Sequence, residues 1–461
     1  MTKPVETYEQ AIEYLYNRIN YEHVHADRYS AGDFKLDRMR QLLRLLGDPH
    51  LAVPAIHIAG TKGKGSTAAL VSEILTATGL KVGLFTSPHI DVFEERIRFN
   101  GVMATPTEII ELVNRVSVAV AELDGMPGKL NPTYFEIATA MAWLFFHARA
   151  ADVAVLEVGL GGRLDSTNLC SPLVTIITSI SRDHTQILGS TLTQIAAEKA
   201  GIAKPDVPLI CGATDPEALS AITEICEQQS AKLYNLGEHI QVQSRPAEQP
   251  SGTRQLVSVE TPWSKWTDLP LSLAGEHQAR NAGIAVAAVD LLRQRHFEVS
   301  EAAITSAMSS VRWPLRIEVI QERPTVVVDA AHNWQSVKEL LRTLDDQFTS
   351  RRRLLIFSTT VDKDVAGMLR QLLPRFDTTI LTQYQDYPRA VPIEELHRLV
   401  RRISTTPVHT AADPTTAWRL ARRLASPDEL ICVTGSFFIA AEIREAFVDS
   451  EPVGAEPENV Q

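Results

Sequence analysis

Ala59-Gly60-Thr61-Lys62-Gly63-Lys64-Gly65-Ser66-Thr67 is the stretch on which the fold turns. Upstream lies Ala55-Ile56-His57-Ile58, an apolar run of buried-strand length. Downstream, residues 67–78 carry a helical pattern that ends at Gly79, placed as a C-cap. Strand, Gly-rich turn and helix together are the context in which a phosphate-binding loop is expected, against a plain Gly/Lys turn without ligand. Backbone N–H groups at the helix start can cradle phosphate oxygens, and the helix dipole favours anions there. Lys64 offers a mobile cation to β- and γ-phosphates, and Ser66 or Thr67 a hydroxyl to Mg²⁺. The spacing departs from the ordinary Gly-x4-Gly-Lys-Ser/Thr loop: its first Gly would fall on Ile58, and Gly65 separates Lys64 from Ser66. Two Lys and three Gly between a strand and a helix would make a poor plain turn.

Outward from this loop, short aliphatic runs at 82–85, 153–156, 174–179 and 209–211 alternate with helical patterns such as 106–123 and 135–148. Such alternation predicts a mostly parallel sheet with helices on both faces. Two helices, at 7–18 and 34–46, precede it. Residues 233–270 read as an antiparallel excursion, followed by a helix at 277–295. A second α/β block starts near Trp313, with strands at 325–328, 353–358, 378–381 and 430–434. Its helices are expected at 336–347, 365–373, 393–403 and 415–424. Arg pairs such as Arg401-Arg402 and Arg422-Arg423 read as solvated helix faces. Residues 449–461 are acidic and Pro-rich, and disorder is expected there.

A chain of 461 residues accommodates two such domains. The net charge of −11 argues against a general nucleic-acid binder. The four Cys (Cys170, Cys211, Cys226, Cys432) have neither disulfide-framework nor metal spacing, which suits a reducing compartment. No signal core and no membrane-length apolar run is present, so the cytoplasm is the expected location.

In an open parallel sheet, ligands bind beyond the carboxyl ends of the strands. Several polar clusters fall there. Ser87, in Thr86-Ser87-Pro88-His89, is either a hard oxygen for Mg²⁺ or part of a Ser-Pro turn. Glu157 ends a buried strand downstream of the phosphate loop, where a metal-holding carboxylate belongs. The Gly-rich continuation to Asn168 lets backbone approach a ligand, with Arg163 and Asp165 as anchors. His184 follows the next strand and reads equally as a metal ligand or a bystander. Lys199 reads by default as a solvated helix residue. In the second block, Asp329 and His332 again sit where a strand runs out. Arg316 suits either nucleotide phosphates or a salt bridge.

In this order, the segments 60–66, 86–89, 134–136, 157–168, 183–184, 198–202, 275–278 with Asn281, 313–316, 329–333, 362–364 and 435–437 resemble the folylpolyglutamate synthase/dihydrofolate synthase family of the Mur ligase superfamily. The resemblance spans about residue 8 to residue 445. It implies a P-loop-type domain over 1–310, a smaller Rossmann-like glutamate-ligase domain over 311–448, and a tail over 449–461. It implies that ATP phosphorylates a dihydropteroate or folate carboxylate, and that L-glutamate then displaces phosphate. Residues 60–67 (Gly60, Thr61, Lys62, Gly63, Lys64, Gly65, Ser66 and Thr67), with Asn281, Arg316 and Asp329, would bind ATP. Ser87, Glu157 and His184 would hold two Mg²⁺ ions. Phe135 and Arg163 would meet the pterin-bearing substrate. Lys64, a carbamylated Lys199 and His332 would serve the reacting centre. A cytoplasmic monomer acting on both folate steps, without nucleic-acid or membrane partners, is the expectation.

Three positions depart from the family pattern: Lys62 stands for the usual Asn, Leu315 for Gly and Ala330 for Gly. None removes a titratable or metal-binding group, so activity is expected. Mur ligases of the cell wall usually carry an extra N-terminal domain, and with the loop beginning at residue 60 none is expected here. A P-loop GTPase would need an uninterrupted Gly-Lys-Ser/Thr and an Asn-Lys-x-Asp motif, neither of which occurs. A non-catalytic nucleotide binder would not need Ser87, Glu157, His184 and Lys199.

Overall fold

A computed structural model describes residues 4–21, 35–126, 130–248, 254–384 and 389–450, with side chains to 447. It divides into two compact units. The first comprises 1–245, 256–272 and 278–311; the second comprises 246–255, 273–277 and 312–461.

The first unit is built on eleven strands: β1 (Ala55–Ala59), β2 (Val82–Phe85), β3 (Ile97–Phe99), β4 (Val102–Met103), β5 (Val153–Glu157), β6 (Pro172–Ile177), β7 (Leu209–Cys211), β8 (Leu233–Asn235), β9 (Gln241–Pro246), β10 (Gln255–Glu260) and β11 (Lys265–Leu271). The first eight form one sheet in the order β4-β3-β2-β5-β1-β6-β7-β8. From β2 to β8 all neighbours are parallel, and the β3–β4 hairpin adds antiparallel strands at one edge. Every residue of β1 and β5 is buried, as expected of strands covered on both faces. That is why these strands read as aliphatic runs rather than alternating ones. Strands β9 to β11 form a separate three-stranded sheet.

Helices of this unit carry local start signals. Thr105 and Thr133 each cap a helix reciprocally with Glu108 and Glu136. The helix Lys64–Ala77 differs. Its N-cap is Gly63 at φ 88°, with no side chain supplying a cap. Only Gly adopts that conformation without strain, and the first backbone N–H groups of the helix have no intrahelical acceptor. The helix Tyr134–Ala148 buries Trp143 and Phe146 fully against the sheet side of the core. Each such side chain contributes about 1.5–3 kcal/mol relative to exposure.

The second unit holds β12 (Glu318–Glu322), β13 (Thr325–Val328), β14 (Arg353–Phe357), β15 (Thr378–Leu381), β16 (Val408–Thr410) and β17 (Leu430–Thr434). Their order is β12-β13-β17-β14-β15-β16, parallel except for β12 against β13. This is the Rossmann-like arrangement expected from the sequence. At the start of β14 the Arg353 guanidinium lies 2.6 Å from Asp345. The last helix, Phe437–Ser450, runs into the segment where a disordered tail is expected, and 451–461 lie outside the described residues. No described helix is long and apolar enough to cross a membrane.

Candidate active site

Four loops of the first unit leave the carboxyl ends of adjacent parallel strands, after β2, β5, β1 and β6. The loop after β1 is fastened to the segment after β6. Thr61 N donates to Ser179 O at 2.8 Å, and Ser181 N donates to Thr61 Oγ1 at 3.0 Å. Lys62 N donates to Ser179 Oγ at 3.0 Å. Lys62 O accepts from Thr178 Oγ1 at 2.7 Å and from Ser179 Oγ at 2.9 Å. Asn281, on the helix Glu276–Arg293, lies behind Gly63: a Cβ there would come within 2.5 Å of Asn281 Oδ1. The amide Nδ2 of Asn281 donates to Gln278 Oε1 at 3.0 Å. Ser66 and Thr67 are buried, and Thr67 Oγ1 finds no hydrogen-bond partner among the described residues.

Three lysines converge on this loop. Lys64 Nζ lies 3.9 Å from Glu157 Oε1, and Lys62 Nζ lies 3.1 Å from Asp183 Oδ2. Lys199, read from sequence as solvated, is only 5% exposed and donates to Gly60 O at 2.9 Å. The correction has a physical cause. The helix Leu192–Ala200 turns this side chain onto a backbone carbonyl 139 residues away, which local sequence does not reveal. Burial, with Lys64 and Lys62 adding repulsion against the pull of Asp183, pushes the Lys199 ammonium down to about 7.

Glu157 is 5% exposed and accepts Ser87 N at 3.2 Å. His184 follows β6 with a left-handed φ of 49°. Crowding by protein atoms first, then repulsion from the lysines, pushes its imidazole down to about 4, while Asp183 pulls the other way. The side chain is 53% exposed, and the downward shift favours the neutral ring, the form that can ligate a metal. No three His, Cys, Asp or Glu side chains converge as a metal cage among the described residues. Mg²⁺ does not require one. It takes one or two carboxylates, keeps waters and completes its shell with phosphate oxygens. The hard oxygens of Glu157 and Ser87 beside a phosphate loop fit that donor set.

Beside these loops lies a pocket lined by Asn20, Lys35, Arg38, Phe135, Asp165 and His184, among others. Phe135 stacks at 5.7 Å on Phe85 and fills the space over Gly159, where a Cβ would meet its Cζ at 2.6 Å. Glu136 Oε2 takes both Thr133 N at 2.8 Å and Arg38 Nε at 2.6 Å. Asp165 accepts from Leu160 N at 3.0 Å, Thr167 N at 3.0 Å and Thr167 Oγ1 at 2.5 Å, so it braces the Gly-rich turn. Arg163 is turned elsewhere: it does not line this pocket, and its Nη2 lies 2.7 Å from Glu198. Of these residues, the Thr133–Glu136 capping pattern was detectable in sequence. Arg38 was not, because its partner lies 98 residues on.

In the second unit, Asp329 follows β13 and spends its oxygens on backbone. Ile317 N donates to Oδ2 and Ala331 N to Oδ1, both at 2.8 Å. Burial pushes this carboxyl up, while Arg316 and the two amides pull it down. Arg316 sits between Leu315 at φ 58° and Ile317 at φ 50°. At this join the usual Gly would be unstrained, and Leu315 instead holds a left-handed conformation while fully buried. His332 Nδ1 lies 2.9 Å from Ala330 O, so the carbonyl accepts and Nε2 is the basic nitrogen of the ring. Beyond β14 and β15, Ser358, Thr359 and Thr382 are fully buried hydroxyls without a hydrogen-bond partner among the described residues. Sequence reading passed over these, since lone hydroxyls carry no spacing signal.

Comparison with known proteins bears on both units. Residues 58–289 match the Mur ligase middle domain, and residues 315–437 match the Mur ligase glutamate ligase domain. The chain is 36% identical over 412 residues to the dihydrofolate synthase/folylpolyglutamate synthase of Bacillus subtilis, covering 89% of this chain and 94% of that protein. It is 33% identical over 414 residues to the Escherichia coli protein of the same name, covering 90% and 91%. Among solved structures, Mycobacterium tuberculosis folylpolyglutamate synthase complexed with ADP superposes with a TM-score of 0.85 at 31% identity, over 98% of this chain and 99% of that one. E. coli FolC in complex with DHPP and ADP gives 0.83 at 28% identity, over 97% and 99%. The chain belongs to the folylpolyglutamate synthase/dihydrofolate synthase family of the Mur ligases.

Proposed function

We propose that this chain is an ATP-dependent ligase that joins L-glutamate to dihydropteroate and to tetrahydrofolate. The observation that carries the reading is one sheet edge. There a lysine-bearing phosphate loop faces a buried strand-end carboxylate, Lys64 to Glu157 at 3.9 Å, beside a pocket floored by Phe135. Relatives solved with ADP support the nucleotide, and E. coli FolC with DHPP supports a folate-type partner.

A carboxylate does not condense with an amine in water without activation. In this reading the substrate carboxylate attacks the γ-phosphorus of ATP, giving an acyl phosphate and ADP. The α-amine of glutamate then attacks the acyl carbon, phosphate leaves with the bonding pair, and the amine loses a proton. Lys64 neutralises charge on the transferring phosphoryl group, and the loop 60–67 binds ATP with the backbone N–H groups at the helix start, Lys64 to Ser66, cradling the phosphates. Asn281 takes the adenine end. Ser87, Glu157 and His184 would hold Mg²⁺, two ions in all, whose charge further screens the phosphates. Lys199, with its value near 7, has a neutral amine available to combine with CO₂, which supports the carbamylated form. Phe135 and the Asp165-braced turn hold the pterin. Arg163, bound to Glu198, is the cation we assign to the substrate's carboxylate end.

From the second unit, Arg316 on its Asp329-held turn reaches the nucleotide, and His332 the reacting centre. Ser358, Thr359 and Thr382 are candidate donors to a carboxylate of glutamate. The domains work as 1–310 and 311–448, in a cytoplasmic monomer. The test is ADP release. It should require both L-glutamate and a folate-type acceptor, and ADP release indifferent to glutamate would overturn the reading.

A further inference from the structure

We propose that Lys62 is a positioning residue that fixes His184 through Asp183, and so sets how tightly the enzyme holds its divalent cation. This rests on His184 being a metal ligand. The position departs from the family's usual Asn, and added charge beside the phosphates would be the simplest use of a lysine. The geometry points elsewhere.

The backbone of Lys62 is pinned by three hydrogen bonds to Thr178 and Ser179, so its side chain springs from a fixed base. From there Nζ reaches Asp183 Oδ2 at 3.1 Å. The other oxygen, Oδ1, accepts the backbone N–H of His184 at 3.0 Å. His184 needs such support. It sits at φ 49° ahead of the single turn Thr185–Leu188, a conformation that persists only where the surroundings over-determine it. Lys62 holds the carboxylate, the carboxylate holds the amide, and the amide fixes the backbone from which the imidazole projects. An ammonium committed to Asp183 is also a poor second cation for phosphate, a task left to Lys64. Groups that orient a metal ligand typically change metal affinity 10–100-fold when removed.

The experiment uses the full chain and the variants Lys62→Asn, Lys62→Arg, Asp183→Asn and the Lys62→Asn/Asp183→Asn double. Two readouts separate the roles: Mn²⁺ affinity in the presence of ADP, by electron paramagnetic resonance, and ADP affinity in EDTA, by calorimetry. Lys62→Asn should weaken Mn²⁺ about tenfold. Asp183→Asn should match it, and the double variant should be no worse than either, because the two act in one chain. Lys62→Arg should restore most of the affinity, which guards against a general folding defect. Because the Lys62 ammonium lies on Asp183 and its backbone N–H on Ser179, neither facing the nucleotide, ADP affinity without metal should stay within about twofold of wild type in each of these variants. Loss of metal-free ADP affinity in Lys62→Asn with Mn²⁺ affinity unchanged would overturn the proposal, as would additive losses in the double. His184→Ala is the control: unchanged Mn²⁺ affinity there would remove the ligand reading itself.

Discussion

The two sheets each end a buried parallel strand on an acid, and the two acids do different work. Glu157, the last residue of β5, has an ammonium 3.9 Å away on the phosphate loop and accepts the backbone amide of Ser87. Asp329, after β13, receives two backbone amides at 2.8 Å and brackets a turn with left-handed residues on either side of Arg316. The same topology thus delivers a carboxylate that faces the Lys64 ammonium in one unit and, in the other, a carboxylate whose oxygens hold its own backbone beside Arg316. An acid at a strand end marks a functional edge, but its hydrogen bonds decide its task.

The largest effect should come from the first edge. Glu157→Gln and Lys64→Ala should each lower kcat about 10²–10³-fold, the cost of losing one charge-stabilising group, with little change in urea midpoint. A large loss of stability with normal kcat would erase the contrast. Lys199→Met should lower kcat about 10–100-fold and remove a pH dependence. The folded value near 7 lies below the ordinary 10.5, so the unfolded chain binds more protons between those values. In enzyme freed of CO₂, with Lys199 uncarbamylated, wild type should therefore gain stability as pH rises from about 7 towards 10, and Lys199→Met should not. Parallel denaturation series across that range decide this.

The second edge should answer in stability. Asp329→Ala leaves the amides of Ile317 and Ala331 without their acceptor and should cost about 1–3 kcal/mol in urea unfolding. The smallest test concerns the turn itself. At most buried sites Gly is no better tolerated than Ala. At Leu315, with φ 58°, Leu315→Gly should be more stable than Leu315→Ala by about 1 kcal/mol, since only Gly escapes the left-handed penalty. Ala equal to or better than Gly would mean that this turn is not strained.

Much of this was legible in the chain. The fully buried strands β1, β2, β5 and β7 read as aliphatic runs because both faces are covered. The loop Gly60–Ser66 stood out because Gly and Lys there have few structural uses. Short edge strands were not legible: β4 is two exposed residues, and β16 is one half-buried and two exposed, so neither carries a pattern. The helix Glu301–Ser310 was passed over too, being Ala- and Ser-rich with little periodic contrast. Long-range partners were invisible. The burial of Lys199, the Arg38–Glu136 pair and the diversion of Arg163 to Glu198 all depend on residues far away in sequence.

The most direct test of the account is the mass of its products. The enzyme is incubated with ATP, Mg²⁺ and L-glutamate, with dihydropteroate in one reaction and tetrahydrofolate in another. The account predicts that both acceptors gain one glutamyl unit as ADP forms. No gain on either acceptor, with ATP still bound, would contradict it.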